Sequence, residues 1–114
     1  MFKNDNSKAT GKLTVEIKND KGVVIETREV KNLVVDDGLE YIASRMKDTT
    51  ATAMSHMGIG TGSTAAAAGN TALETEAARV ALTSTTVTAN AVAYVASFGA
   101  GTGTGAITEA GILN

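Results

Sequence analysis

Apolar and polar residues alternate near the start of the chain. Leu13, Val15 and Ile17 alternate with polar side chains over residues 12–18, which is the pattern of a strand with one buried face. The turn-forming sequence at residues 19–22 separates this stretch from a second one at residues 23–30. The pattern therefore predicts a β-hairpin.

A helical period follows the hairpin. Leu39, Ile42 and Met46 are spaced by three and four residues, so they form one apolar stripe on a helix over residues 37–47. Asp37 with Glu40 is predicted to cap that helix. Because the stripe is the strongest helical signal in the chain, we expect it to pack into the core of the subunit.

The second half of the chain predicts further short strands separated by small, flexible residues. A short helix, capped by Thr71 and Glu74, is also predicted from the spacing of Leu73, Ala77 and Val80. The predicted elements are a strand at 53–59, a loop at 60–69, the helix at 71–79, paired strands at 82–88 and 92–98, a loop at 99–105 and a last strand at 106–113.

These elements predict a mainly β fold. Short strands with frequent turns and no strand–helix–strand alternation favour an antiparallel β-sandwich or jelly-roll-like barrel with one or two short helices. The length predicts a single domain over residues 1–114, in which residues 1–10 form a polar N-terminal arm. The arm has no apolar run, and no stretch approaches the length of a membrane span, so we expect no signal peptide and no membrane partner.

Composition limits the core that this domain can build. The apolar fraction of 43% is supplied largely by alanine, with two Phe, two Tyr and no Trp. Small domains with shallow cores usually add disulfides, metals or partners, and this chain has no Cys and one His. Association with other chains is the remaining means of stabilisation.

Charge is concentrated at one end. Nine of the ten basic and nine of the twelve acidic residues lie within residues 1–48, and none lies within residues 80–108. Exposed strands of monomeric proteins normally carry charge to block edge pairing, so we expect the neutral segment to be covered by a partner. The net charge of −2 gives no basic surface for nucleic acid.

No group of residues in the sequence forms a convincing catalytic or cofactor site. Residues 60–65 match the glycine pattern of a dinucleotide-binding turn, but no helix is predicted to begin directly after them. Ser55 and His56 are neighbours on a predicted strand, so their side chains should point to opposite faces. The adjacent acids Asp36 and Asp37 fit the start of a helix better than a metal site. We therefore expect no enzymatic activity, no metal and no cofactor.

Several blocks of the sequence follow one another in a specific order over most of residues 30–114. They are residues 31–34, 38–39, 42–43, 54–65, 70–76, Arg79 and 107–112. Taken in this order, the blocks resemble a family that recurs in the virion proteins of tailed bacteriophages. Relatives often have proline after the glycine-rich block, where this chain has Ala66.

The resemblance implies a structural role. Such proteins include capsid cement or decoration subunits that bind the major capsid protein on the outer capsid surface, and related blocks occur in tail-fibre and baseplate proteins. The expected protein is a homo-oligomer, a dimer or trimer, that is made in the host cytoplasm. A β-sandwich carbohydrate-binding module is an alternative of another class. The expected interface residues lie in the neutral segment and are Thr83, Thr85, Thr86, Thr88, Ala91 and Ala93.

Overall fold

A computed structural model describes residues 8–47 and 52–114 of the chain. Over these ranges every strand pair is antiparallel and a single helix forms, which confirms the predicted mainly β class. The strands form three small sheets, of two, three and two strands. The elements are β1 (Gly11–Lys18), β2 (Val24–Asn32), α1 (Asp36–Lys47), β3 (His56–Gly60), β4 (Glu76–Ala81), β5 (Ser84–Thr88), β6 (Ala91–Val95) and β7 (Glu109–Leu113).

The predicted hairpin is confirmed as β1 and β2. Asn19 closes its turn, because its side-chain oxygen accepts hydrogen bonds from the backbone N–H groups of Lys21 and Val23. Gly22 adopts a positive φ of 78°, which a residue without Cβ tolerates. The register places the apolar residues of β1 on one face, together with Val30 of β2.

The three-stranded sheet has β3 at its centre, between β4 and β7. Its β4 strand occupies part of the segment predicted to be a helix over residues 71–79, so that prediction is wrong. Alanine and glutamate are good helix formers, but intrinsic propensity is a weak determinant of structure, and here pairing with β3 outweighs it. The predicted cap is also absent, since the backbone N–H of Glu74 donates to the carboxylate of Glu109 at 2.9 Å.

The neutral segment contains the predicted strand pair, β5 and β6. Their connection has only Ala89 and Asn90 between the paired residues Thr88 and Ala91. Ala89 has a φ of 51°, in the left-handed region that disfavours residues with a Cβ. The tight turn therefore contains local strain.

The helix α1 is confirmed, but its predicted cap is not. The backbone N–H of Leu39 donates to Val35, so the helix begins one residue before Asp37, and Asp37 makes no side-chain hydrogen bond to another described residue. Two acidic residues in the first turn still interact favourably with the helix dipole. The N–H of Asp36 donates to the carbonyl of Ala68 at 2.7 Å, which ties the helix to the glycine-rich loop.

The helix turns its apolar stripe outward, contrary to the expectation that it packs into the subunit core. Ile42 is 44% exposed and Met46 is 84% exposed. The half-buried side of the helix instead carries Tyr41 and Ser44. The pKa of Tyr94, on β6, is raised mainly by its partial burial, and Tyr41 adds to the shift.

The described residues do not enclose a hydrophobic core. No hydrophobic side chain among them is fully buried, and the fully buried residues are the glycines Gly58, Gly60 and Gly62. The accessible surface is 8719 Å², whereas a folded monomer of this mass exposes roughly 5,800 Å². The Cα radius of gyration of 15.5 Å likewise exceeds the value of about 13 Å for a compact domain.

No helix within the described ranges is long and apolar enough to span a lipid bilayer.

We expect Ala89→Gly to stabilise the β5–β6 hairpin. Glycine relieves the left-handed strain of about 1 to 2 kcal/mol but adds freedom to the unfolded chain, so the net gain should be about 0.5 to 1 kcal/mol. Urea unfolding at fixed protein concentration measures it. Ala91→Gly in the adjacent strand is the control and should destabilise; a loss of stability in both variants would contradict the assigned strain.

Candidate interaction surface

Ser55 and His56 form a contact that the sequence analysis excluded. The Ser55 Oγ lies 2.7 Å from the Nδ1 of His56, because Ser55 sits just before β3, where strict strand alternation does not yet apply. No carboxylate among the described residues hydrogen-bonds or ion-pairs with His56, and no cluster of metal-binding side chains occurs in the same ranges. The pair therefore lacks the third group that orients the base in a hydrolytic triad.

The glycine-rich loop that resembles a dinucleotide-binding turn holds an internal carboxylate. Glu109 Oε1 accepts hydrogen bonds from the backbone N–H groups of Thr75 at 2.7 Å and Gly62 at 3.2 Å, and Oε2 accepts one from Glu74 at 2.9 Å. Converging backbone N–H groups form an anion-binding site. The protein's own side chain occupies that site here.

Glycine at positions 58, 60 and 62 makes room for this loop. A Cβ on Gly60 would overlap the carbonyl of Thr75 and the carboxylate of Glu109, and a Cβ on Gly62 would lie 2.6 Å from the Cβ of Glu74. Leu73 covers Gly58 from the same side, where an added Cβ would lie 3.0 Å from its Cδ1. The loop therefore closes directly onto the backbone of β3 and β7.

The Glu109 carboxylate is held in its charged form. The hydrogen bond from Thr75 is the main cause that lowers its pKa below the ordinary value of 4.5, partial desolvation opposes the shift, and the bonds from Glu74 and Gly62 add to it. Sequence analysis missed this role. The available signal was one isolated acid, close to the end of a neutral segment, together with closely spaced glycines.

Glu76 and Arg79 form an ion pair, with Arg79 Nη2 2.8 Å from Glu76 Oε1. It forms on a strand instead of a helix. The irregularity at Ile59 and Gly60 leaves Ala77 without a partner, which brings both charged side chains to one face of the sheet. The hydrogen bond from Arg79 lowers the pKa of Glu76.

The six predicted interface residues do not share one face. Thr85 lies opposite the half-buried Tyr94, and Thr83 precedes β5 by one residue. The other four lie on the opposite face, where Thr86 pairs with Ala93 and Thr88 with Ala91. All six are exposed in the single chain. We call the surface that carries Thr86, Thr88, Ala91 and Ala93 the outer β5–β6 face.

Besides Val87, Val92 and Val95 of β5–β6, exposed large apolar side chains lie on the first hairpin and the helix. We call this set the N-terminal apolar surface. Leu13 is half-buried, and every other member exposes more than a third of its area. The members are Leu13, Val15, Ile17 and Val30 of the hairpin and Leu39, Ile42 and Met46 of the helix. The sequence identified these residues correctly but placed the helical ones in the subunit core.

Lowering the pH should weaken the closure of the loop over Glu109. A carboxylate with a lowered folded-state pKa stabilises the fold fully above its ordinary pKa, and this stability is lost as the pH falls toward the folded value. Thermal unfolding from pH 7 to pH 3 should therefore show a falling midpoint. Glu109→Gln should lower the unfolding midpoint at pH 7, because the glutamine amide N–H group would face a backbone N–H group, and two donors cannot pair. The variant should also flatten the dependence of the midpoint on pH, because glutamine does not titrate.

Glu76→Gln is the control for that experiment, since Glu76 also has a lowered pKa. It should remove only its own part of the pH dependence. An unchanged pH profile in Glu109→Gln would show that the carboxylate does not hold the loop.

Gly60→Ala should disrupt the same closure by overlap with backbone atoms. Overpacking of this kind destabilises by roughly 1 to 3 kcal/mol, and the Thr75 carbonyl cannot move without breaking its bond from the Thr61 N–H. Gly69→Ala is the matched control, since nothing lies within 4 Å of an added Cβ there. Equal unfolding midpoints for the two variants would contradict the proposed packing.

Comparison with protein-family models, with curated proteins and with solved structures found no match. The function has therefore to be inferred from the chain's own residues, their contacts and their exposure.

Proposed function

We propose that this chain is a structural subunit of a tailed-bacteriophage virion, which decorates and stabilises the capsid by binding the major capsid protein. It acts as a homo-oligomer, a dimer or trimer, on the outer capsid surface after synthesis in the host cytoplasm. It works by binding, without enzymatic activity, metal or cofactor.

One observation carries the proposal most strongly. The described chain exposes many large apolar side chains and encloses no side-chain core, although its strands and its Glu109 loop are well defined. Monomeric proteins rarely leave so many large apolar side chains exposed, because such surface promotes aggregation. A protein whose task is assembly instead covers such surface with other subunits.

The outer β5–β6 face is the surface proposed for the capsid. It presents threonine hydroxyls and alanine methyl groups without charge, so a partner's backbone can approach closely and the hydroxyls can pair with its polar groups. Both edges of this two-stranded sheet also lack a strand neighbour in the described chain. Strand addition by a β-rich partner would satisfy those edges.

The assembled state also supports a finer description of the fold. Isolated two-stranded sheets are only marginally stable, so the three small sheets need further layers. Packing of their apolar faces against one another across subunits would give the β-sandwich or jelly-roll-like arrangement.

A tail-fibre or baseplate location is the second candidate. Such proteins also form hydrophobic cores between chains. The incomplete core of this chain therefore supports a tail location as well as it supports a capsid location. A carbohydrate-binding module has less support, because Tyr41, Tyr94 and Phe98 are half-buried and lie on no shared open groove within the described residues.

Labelling of purified virions distinguishes these candidates. Antibody or gold label on the shell supports capsid decoration, label on the tail supports the second candidate, and absence from virions rejects both. Glycan-array binding would support the carbohydrate-binding alternative.

Thr86→Lys should weaken binding to capsids that lack the protein. An unpaired charge on a buried, neutral interface costs about 1 to 3 kcal/mol, so less protein should co-sediment with the capsids. Thr27→Lys, on the charged face of the first hairpin, is the control and should bind normally. Equal binding by both variants would remove the outer β5–β6 face from the interface.

A further inference from the structure

We infer that the N-terminal apolar surface is the self-association interface of the protein, and that its occupant is a second copy of this chain. The inference deepens the proposed function and rests on its homo-oligomer, but it does not depend on where in the virion the protein lies. It also assigns self-association and capsid binding to different surfaces.

The orientation of α1 is the first observation that carries the inference. Tyr41 is half-buried, whereas Leu39, Ile42 and Met46 are exposed. Tyr41 and the stripe lie on different sides of the helix. Burying the stripe within one chain would therefore require the helix to turn Tyr41 outward.

The amount of exposed surface is the second observation. The difference between 8719 Å² and the roughly 5,800 Å² of a self-contained chain is about 2,900 Å². Obligate homo-oligomers bury on the order of 2,000 to 5,000 Å² in total at an interface and often have no stable folded monomer. Contact with other copies can account for an excess of this size.

Charge favours a second copy over a strongly charged partner. The described residues 8–47 carry eight basic and seven acidic side chains, so this part of the chain is nearly neutral. Pairs such as Lys12 with Glu29 and Arg28 with Glu26 neutralise charges within the hairpin itself. Two copies therefore meet without net repulsion, and their apolar faces supply the attraction.

The edges of the first hairpin favour the same occupant. Within the described residues, β1 and β2 pair only with each other, which leaves the outer edge of each strand open. Long open edges promote pairing with another chain. A copy of the same hairpin provides both the edge and a row of apolar side chains on β1 of matching length.

The absence of cysteine permits a direct test of this surface. Met46→Cys places a single thiol on the apolar stripe of the helix. Glu40→Cys places a single thiol on the same helix but outside the stripe. At a protein concentration well above the dissociation constant of the oligomer, the thiol of the Met46→Cys variant should react with a small thiol reagent roughly tenfold more slowly than the thiol of Glu40→Cys. Dilution until the oligomer dissociates should remove the difference.

Light scattering coupled to size exclusion gives the second readout. The wild-type chain should elute at a multiple of 11.6 kDa. Met46→Lys should raise the dissociation constant roughly tenfold or more, because it buries a charge at the interface. Met46 has few contacts to lose within its own chain, and lysine is a good helix former. Glu40→Gln makes the same change in net charge off the stripe and should leave the mass unchanged.

Three results would overturn the inference. These are a folded wild-type monomer at the highest soluble concentration, an oligomer that Met46→Lys leaves intact, and protection of the Met46→Cys thiol that appears only when capsids are added. The last result would assign the surface to the capsid protein. Absence of the protein from virions would instead reject the proposed function and leave the interface assignment standing.

Discussion

The hydrogen bonds to the Glu109 carboxylate organise the part of the described chain in which Gly58, Gly60 and Gly62 are buried. Three backbone N–H groups from the loop over residues 61–75 converge on a side chain of β7. The carboxylate can approach them only because Gly60 and Gly62 have no side chains. The loop then lays Leu73 over Gly58 and Gly111, and its Ala68 carbonyl accepts the first backbone N–H of α1. A local polar contact thus positions the helix.

The same arrangement explains why the rest of the chain is open. The loop closes one face of the central sheet with glycines and backbone, which bury little apolar area. Hydrophobic burial is the main favourable term in folding, and polar contacts add only modest net stability. The described chain therefore has a well-defined polar centre but too little apolar burial. Its large side chains lie at the periphery, on elements that each contact mainly their own neighbours.

Local signals in the sequence predicted the local structure well. The first hairpin depends on the Asn19 turn, β5 pairs with β6 across two residues, and the helix follows its own apolar period, so each could be read from adjacent residues. The segment at residues 71–79 could not. Its conformation depends on Glu109, more than thirty positions away, and on pairing with β3, and neither interaction leaves a local pattern.

The candidate interface was predicted less well, for two different reasons. Neutral composition indicated a segment, but β5–β6 pairing decides which face each residue occupies, and this separates Thr85 from Thr86. The apolar stripe of α1 was identified residue by residue. The prediction that this stripe packs into the subunit core was wrong. Periodicity shows that one face of a helix is apolar, but it does not show whether that face is buried by the same chain or by another one.

The chemical difference between the two proposed surfaces suits an order of assembly. A subunit that docks on a preformed shell must remain soluble beforehand, and exposed leucine, isoleucine and methionine would make it aggregate. Covering the N-terminal apolar surface with other copies removes that hazard first. The outer β5–β6 face offers mainly hydroxyl and methyl groups, with Val95 as its one exposed large apolar side chain, so it then remains exposed without strong self-attraction. Such a face binds weakly as a single copy, but an oligomer presents several at once, so the linked contacts hold it on the shell far more tightly than one contact would.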